Sequence, residues 1–398
     1  MFRNKSIDYY LISPIFGLIS AFSNLKSPIS RIALFGFCLS FGICFSVGTK
    51  RIQGSSDGIT MRIEFDKNCN LTESQYIKYL SDYFEFNKGA QDIYIVTVAF
   101  LVGRITDNYH FFFLTLAIVF AFFQLKCLKY FVKEPNYKNS LACIILACLF
   151  LWNNIYNING ARFWTASWIG IYTVFKVFYD KNIKYFLLAC CLFMIHAAFA
   201  VFPVIMLLAY FIKFRGKSLL IIFGISFLVA FTSENLDLQF LNKLYLPFAI
   251  AKKVEFYTDS DYINSLSQGT GFYWVRLLFK SLVRIYINVL VLLIILNGKN
   301  LIDIRGRDIV HFMVVLAIIA NFGMIIPTFG GRLFVVNYAL VSYSFLSVFG
   351  DKKYKILIYM MPLVWFMNIF YLFKDVYEVL DLWFIFSPII SFGRYLIG

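Results

Sequence analysis

The chain has 398 residues, of which 60% are hydrophobic and 20% aromatic, and it carries a formal net charge of +15. Apolar stretches recur from end to end, and such a composition excludes an ordinary soluble domain. The basic residues stand in short clusters between the apolar stretches, so the positive charge does not predict a nucleic-acid partner.

The apolar stretches predict membrane-spanning helices. They are long enough to cross a hydrocarbon core about 30 Å thick, and segments such as VLVLLIILNG at 289–298 are apolar on every side. A transmembrane β-barrel would instead alternate polar and apolar residues in shorter segments. The sequence therefore predicts an all-α, polytopic membrane helix bundle.

The positions of lysine and arginine predict the orientation, because positive residues resist translocation and stay on the cytoplasmic side. Six connectors together hold 18 positive and 5 negative residues. They are 24–31, 126–139, 176–184, 213–217, 298–308 and 350–355. Loops 49–91 and 234–275 are balanced or acidic and are predicted to face outward.

Threading the chain between these two sets predicts an outer amino terminus, about thirteen spans and an inner carboxyl terminus. The predicted spans are 8–23, 31–48, 109–125, 140–157, 161–179, 184–197, 199–212, 217–233, 276–297, 308–328, 333–350, 355–373 and 382–396. All of them belong to one integral membrane domain, 1–398.

Two segments depart from simple threading. The apolar stretch 92–105 is short, and counting it as a crossing would invert every later connector, so it is predicted to be an interfacial or re-entrant helix within an outer loop, 49–108. The stretch 184–212 lies between two basic clusters that both favour the cytoplasm. It is predicted to form a tight hairpin of two short helices that turns near HAAFAVFP.

With this threading, Arg162 in NINGARFW and Arg332 in TFGGRLF both lie at outer ends of spans. The planar guanidinium group makes paired hydrogen bonds to phosphate oxygens, so both are predicted to bind a diphosphate. Gly160, Gly330 and Gly331 precede them and let the backbone approach a ligand closely. The alternative for either arginine is a side chain that snorkels to lipid head groups.

His196 in FMIHAAF and Asp57 in GSSDGITMR also fall at the outer side and are the candidate catalytic residues. His196 suits proton transfer or a bond to substrate, and its alternative is a core histidine. Asp57 is otherwise a turn residue. Trp164 offers an aromatic face to a sugar, or belongs to the interfacial aromatic belt.

No Walker loop, HExxH, paired CxxC or GxSxG motif is found in the sequence. We therefore predict no metal site and no cofactor, and the energy for any reaction must come from the substrate.

The run NINGARFWTASWIGIYTVFKVFYDKNIKYFLLACCLFMIHAAFAVFPVIMLL resembles the EpsG/Wzy-type bacterial polysaccharide polymerases. The resemblance rests on an Asn-Gly-x-Arg helix start that includes Asn159, on a basic turn, and on a helix that ends in His and small residues. The loop VGTKRIQGSSDGITMRIEF and the segment GGRLFVVNYAL are similar to two further motifs of that family. The resemblance covers roughly residues 30 to 350, and Phe163 stands where the family usually has glutamine.

The resemblance implies an enzyme, a glycosyltransferase that joins oligosaccharide repeat units carried on undecaprenyl diphosphate. The reaction would take place at the outer, periplasmic face of the bacterial cytoplasmic membrane. Asn159, Gly160, Trp164, Gly330 and Gly331 would then contact substrate. The implied partners are the lipid-linked oligosaccharide, the bilayer, a chain-length regulator and a flippase.

Other functions remain open. A flippase or transporter of lipid-linked glycans would also bind diphosphate, but it would need a central cationic cavity and repeat-related halves. A lipid-linked glycan transferase or ligase would share the leaving group, face and topology. A purely structural membrane subunit is disfavoured by two arginines on one predicted side.

Overall fold

The computed structural model describes residues 5–48, 57–85, 93–135, 137–212, 217–232, 273–297, 304–349, 354–365, 376–377 and 379–397. Within them every regular element is helical, and extended backbone pairs only in an isolated antiparallel bridge between Phe45 and Leu380. The all-α prediction is confirmed for this part of the chain. The predicted outer loop 234–275 lies almost entirely outside the described residues.

Several helices begin at a proline or after a capping side chain, among them those that start at Pro14, Pro28, Glu73 and Tyr109. In chain order the helices are α1 (Ser6–Ile12), α2 (Pro14–Phe22), α3 (Pro28–Ile43), α4 (Asp57–Asn68), α5 (Glu73–Phe84), α6 (Tyr94–Gly103), α7 (Tyr109–Lys133), α8 (Ala142–Leu146), α9 (Ala161–Val174), α10 (Phe186–Cys190), α11 (Phe202–Phe211), α12 (Lys217–Thr232), α13 (Tyr273–Asn297), α14 (Ile304–Phe322), α15 (Pro327–Phe349), α16 (Lys355–Val364) and α17 (Pro388–Ile397). Short 3₁₀ or π segments join or extend them at Asn139–Leu141, Ala147–Trp152, Ile155–Gly160, Phe175–Tyr179, Ile183–Tyr185, Cys191–Met194, Ala197–Val201, Gly323–Ile325 and Leu382–Ile385.

The chain forms two compact units. The first comprises Met1–Val177, Ile183–Phe202 and Asn368–Gly398, and the second Phe178–Asn182 and Pro203–Met367. In the first unit α7 packs against both α3 and α9. In the second, α14 packs against α12 and α15.

Five helical runs among the described residues are long and apolar enough to cross a membrane. They are Tyr109–Lys133, Asn139–Tyr179, Leu278–Leu296, Gly306–Ile325 and Phe329–Phe349. Shorter apolar helices accompany them, so the chain is a multi-pass membrane protein. The run Asn139–Tyr179 covers two predicted spans with a break between them, and the number of thirteen crossings remains a prediction.

Two predicted spans are broken in the structure. The segment 8–23 is two helices that meet at Ser13, whose side chain accepts a hydrogen bond from the N–H of Ile15 while Pro14 starts α2. The segment 382–396 divides in the same way, because Leu382–Ile385 ends before Pro388 begins α17. Helices of seven to ten residues are too short to cross a core about 30 Å thick.

The described part of the predicted outer loop 49–108 contains three helices, α4, α5 and α6. A capping box between Thr72 and Gln75, a local signal that the sequence displays, starts α5. The predicted short helix at 92–105 is present as α6. The ring of Tyr76 stacks on Phe100 at 4.2 Å, which joins α5 to α6.

The stretch 184–212 consists of short, broken helices as expected, and their pairing in a hairpin remains a prediction. The run from Ile183 to Met194 changes between 3₁₀ and α geometry, and a second run begins at Ala197. The break falls at Ile195 and His196, close to the predicted turn.

Candidate functional site

An asparagine-rich turn leads into α9, the helix that carries the first predicted arginine. Asn154 caps the preceding 3₁₀ segment, because its Oδ1 accepts a hydrogen bond from the N–H of Tyr156 at 2.9 Å. Gly160 is the N-cap residue of α9, and the partly buried Arg162 lies in the first turn. A helix start carries partial positive charge, so the guanidinium and the helix dipole together favour an anion at this position.

Helix α4 brings Asp57 to the same turn. The backbone N–H of Gly58 donates to Oδ1 of Asn159 at 2.7 Å, across 101 residues of sequence. Oδ2 of Asp57 and Nε1 of Trp164 each lie 3.5 Å from the point where a Cβ on Gly160 would stand. Four residues predicted for the site therefore meet at the start of α9, although their roles remain predictions.

Gly58 allows this approach and was not among the predicted site residues. A Cβ at this position would stand 2.4 Å from Oδ1 of Asn159 and 3.1 Å from a ring carbon of Phe45. Both distances are shorter than ordinary van der Waals contact. A side chain on Gly58 would therefore displace Asn159 and separate α4 from the turn before α9.

His196 lies in the same unit and caps the segment Ala197–Val201. Its Nδ1 accepts a hydrogen bond from the N–H of Ala198 at 3.1 Å. A nitrogen that accepts carries no proton, so the neutral imidazole has its proton on Nε2. The ring meets the ring of Phe163 edge to face at a centroid distance of 5.5 Å, which connects the histidine to the residue after Arg162.

The sequence did not predict a buried hydrogen-bond network that lies beside the asparagine-rich turn before α9. Asn153 is fully buried, its Nδ2 donates to the carbonyl of Trp164 at 3.3 Å, and its Oδ1 accepts from Asn157 at 3.0 Å. Its own carbonyl accepts from Gln124 at 3.0 Å and from Trp168 at 3.3 Å. The four asparagines in WNNIYNING were the available signal, since buried amides require partners.

We expect Asn153→Ala to lower the free energy of unfolding by about 2 kcal/mol, because buried partners of the lost amide are left unsatisfied. The measurement is thermal unfolding of the purified protein in detergent micelles. Asn70→Ala, at an exposed position, is the control and should change stability by no more than about 0.5 kcal/mol. Equal melting temperatures for the two variants would show that the network does not support the turn.

The second predicted arginine, Arg332, lies near the start of α15 in the second unit and is partly buried. A Cβ on Gly330 would stand 2.3 Å from the backbone carbon of Gly323 and from the nitrogen of Met324, so glycine is required at 330. A Cβ on Gly331 would meet nothing within 4 Å. Gly330 therefore allows two backbone segments to pack closely, whereas Gly331 borders open space.

Arg162 and Arg332 belong to different units, so their proximity remains a prediction. The second unit also holds Arg284, a partly buried arginine inside the candidate span Leu278–Leu296 that was not singled out in the sequence. An arginine within an apolar span is a recognisable signal, because its burial in lipid is expensive.

Comparison with known proteins adds one match. The profile of the EpsG family matches residues 68–388, which is most of the chain. No curated protein and no solved structure matches it. The matched range includes Arg162, His196 and Arg332, whereas Asp57 lies before it.

Proposed function

This chain belongs to the EpsG family, whose members are polysaccharide polymerase-like proteins, and on that premise we propose that it polymerises lipid-linked oligosaccharide repeat units. The substrates are oligosaccharides carried on undecaprenyl diphosphate, and the product is a surface polysaccharide. The proposed location of the reaction is the outer face of the bacterial cytoplasmic membrane.

The proposed reaction needs no other source of energy. A hydroxyl oxygen of one lipid-linked unit attacks the anomeric carbon of the growing chain and forms the new glycosidic bond. The bond between that carbon and the diphosphate oxygen breaks, and its electron pair leaves with the undecaprenyl diphosphate. The hydroxyl proton goes to a base. Catalysis therefore requires an anion site for the leaving diphosphate and a base near the sugar hydroxyl.

Arg162 is proposed to hold the leaving diphosphate. Its place in the first turn of α9 combines a permanent cation with the positive end of a helix dipole. These charges stabilise the negative charge that develops as the carbon–oxygen bond breaks. Arg332 is the second arginine proposed to bind diphosphate.

Asp57 is the better candidate for the base. It is exposed, and its carboxylate lies beside Gly160 and Trp164. His196 accepts a hydrogen bond at Nδ1, so in the neutral ring the proton is on Nε2. An N–H group can donate to a phosphate oxygen but cannot remove a proton. This tautomer therefore supports a role for His196 in anion binding over proton removal.

Trp164 and Asn159 are proposed to orient the sugar. The indole offers an apolar face on which a pyranose ring can stack, next to the carboxylate of Asp57. One observation carries the proposal: the carboxylate of Asp57 and the indole of Trp164 lie together at the start of α9, the helix whose first turn contains Arg162.

We expect Asp57→Asn to reduce chain elongation about 100-fold or more, because the amide cannot accept the hydroxyl proton. The measurement is a gel of surface glycan from cells that carry the variant as their only copy. Long chains should disappear while single repeats remain. Asp66→Asn removes an exposed carboxylate from the same helix and should leave the ladder of chain lengths unchanged.

The same gel separates the alternative functions. Disappearance of single repeats from the cell surface would indicate a flippase or transporter and would contradict the polymerase. Long chains that remain attached to undecaprenyl diphosphate, with no transfer to a final acceptor, would indicate a ligase. A normal ladder in Asp57→Asn would exclude that residue as the base.

A further inference from the structure

A cavity in the first unit lies away from the proposed site, where α2 ends and α8 approaches. Its volume is about 370 Å³, within the range of small-molecule sites. It is lined by Ser23, Asn24, Lys26, Tyr137, Lys138 and Asn139. The side-chain amide of Asn139 donates to the carbonyl of Ser23 at 3.0 Å and joins the two connectors that form the cavity.

The cavity has a positive lining. Two of its six residues are lysines, none is acidic, and Nζ of Lys26 lies 5.2 Å from the ring centroid of Tyr137. The connectors that form it are 24–31 and 126–139, which contain one acidic residue, Glu134. Such a lining favours an anionic ligand.

Tyr137 provides an independent sign of a missing partner. The residue is 3% exposed, and its hydroxyl has no hydrogen-bond partner in the part of the chain that the structure describes. A buried hydroxyl without a partner is costly, so native proteins rarely leave one unsatisfied. Burial also raises the pKa of Tyr137, so the group remains a protonated donor. Tyr137 lines the cavity, and a ligand oxygen that reaches its hydroxyl would provide the missing acceptor.

The surroundings favour a lipid as the source of that oxygen. The cavity lies at helix ends, in connectors that the positive-inside rule assigns to the cytoplasmic surface. The adjoining helices α2 and α3 expose Ile19, Ile29 and Ile32, which offer an apolar surface for acyl chains. Basic pockets at helix ends on this side of a membrane bind anionic head groups.

We propose that this cavity binds the headgroup phosphate of an anionic phospholipid, with Lys26 and Lys138 pairing with the phosphate and the Tyr137 hydroxyl donating to one of its oxygens. The site is separate from the proposed polymerase chemistry and does not depend on it.

The test uses the full chain in detergent micelles, titrated with phosphatidylglycerol or phosphatidylcholine and followed by native mass spectrometry. The double variant K26A/K138A should weaken phosphatidylglycerol binding about tenfold or more, because two cations near the phosphate are lost. The control K129A/K133A removes the same charge from positions that do not line the cavity, and it should change affinity less than about threefold. Equal losses in both double variants would overturn the proposal.

Tyr137→Phe separates binding from folding. Removing a hydroxyl that lacks a protein partner should leave the melting temperature in lipid-free detergent unchanged or higher, while phosphatidylglycerol affinity falls about threefold or more. A lower melting temperature with unchanged affinity would contradict the proposed donor. Inorganic phosphate and glycerol 3-phosphate are the remaining probes, and either one binding as tightly as the lipid would assign the cavity to a soluble anion instead.

Discussion

Replacing Arg162 with alanine is expected to abolish long-chain surface glycan while single repeats remain. The variant removes the permanent charge at the start of α9, and loss of one such electrostatic contact in a transition state costs about 100-fold to 1,000-fold in rate. The measurement is the length distribution of surface glycan on a gel, with the amount of protein in the membrane checked by immunoblot.

Two further variants make the Arg162 result specific. Arg162→Lys keeps the charge but loses the paired hydrogen-bond geometry, so short ladders should return without the longest chains. Arg104→Ala removes an arginine whose guanidinium lies over the ring of Phe100 at 4.4 Å. This arginine belongs to the segment 92–105, which is also predicted to be outside, and its removal should give a normal ladder.

Arg332→Ala should reproduce the Arg162→Ala result. Normal chains from Arg162→Ala would exclude Arg162 as a diphosphate ligand, and normal chains from Arg332→Ala would exclude Arg332.

Gly330→Ala is expected to lower the free energy of unfolding by about 3 kcal/mol, whereas its neighbour tolerates the same change. The new Cβ would stand 2.3 Å from backbone atoms of Gly323 and Met324, and backbone cannot rotate away as a side chain can. The measurement is the melting temperature of the purified protein in detergent micelles.

Gly331→Ala is the matched control, because the same methyl group would enter open space one residue along the same helix. Alanine favours a helix over glycine by about 1 kcal/mol, so this variant should melt at the same or a higher temperature. Similar destabilisation of both variants would show that α15 does not start against Gly323 as described. A stable Gly331→Ala protein that makes only short glycan would support the prediction that substrate approaches this backbone.

Local signals in the sequence determined much of the secondary structure. Long apolar runs predicted the helices at Tyr109–Lys133 and Phe329–Phe349, because a span must satisfy its own backbone hydrogen bonds in lipid. The short helix at 92–105 and the broken helices around His196 were also predicted. The breaks at Ser13 and before Pro388 were missed, although serine and proline at these positions are ordinary stop and start signals.

The sequence by itself thus determined the all-α membrane class and drew attention to Arg162, His196 and Asp57, because hydropathy and short motifs act over a few residues. Only the tertiary structure placed Asp57 at the start of α9, where the neighbouring Gly58 bonds to Asn159 across 101 residues of sequence, and only it distinguished Gly330 from Gly331. It also revealed the unsatisfied hydroxyl of Tyr137. These features depend on how particular side chains and backbones pack across long sequence separations, and no local pattern encodes that contact geometry.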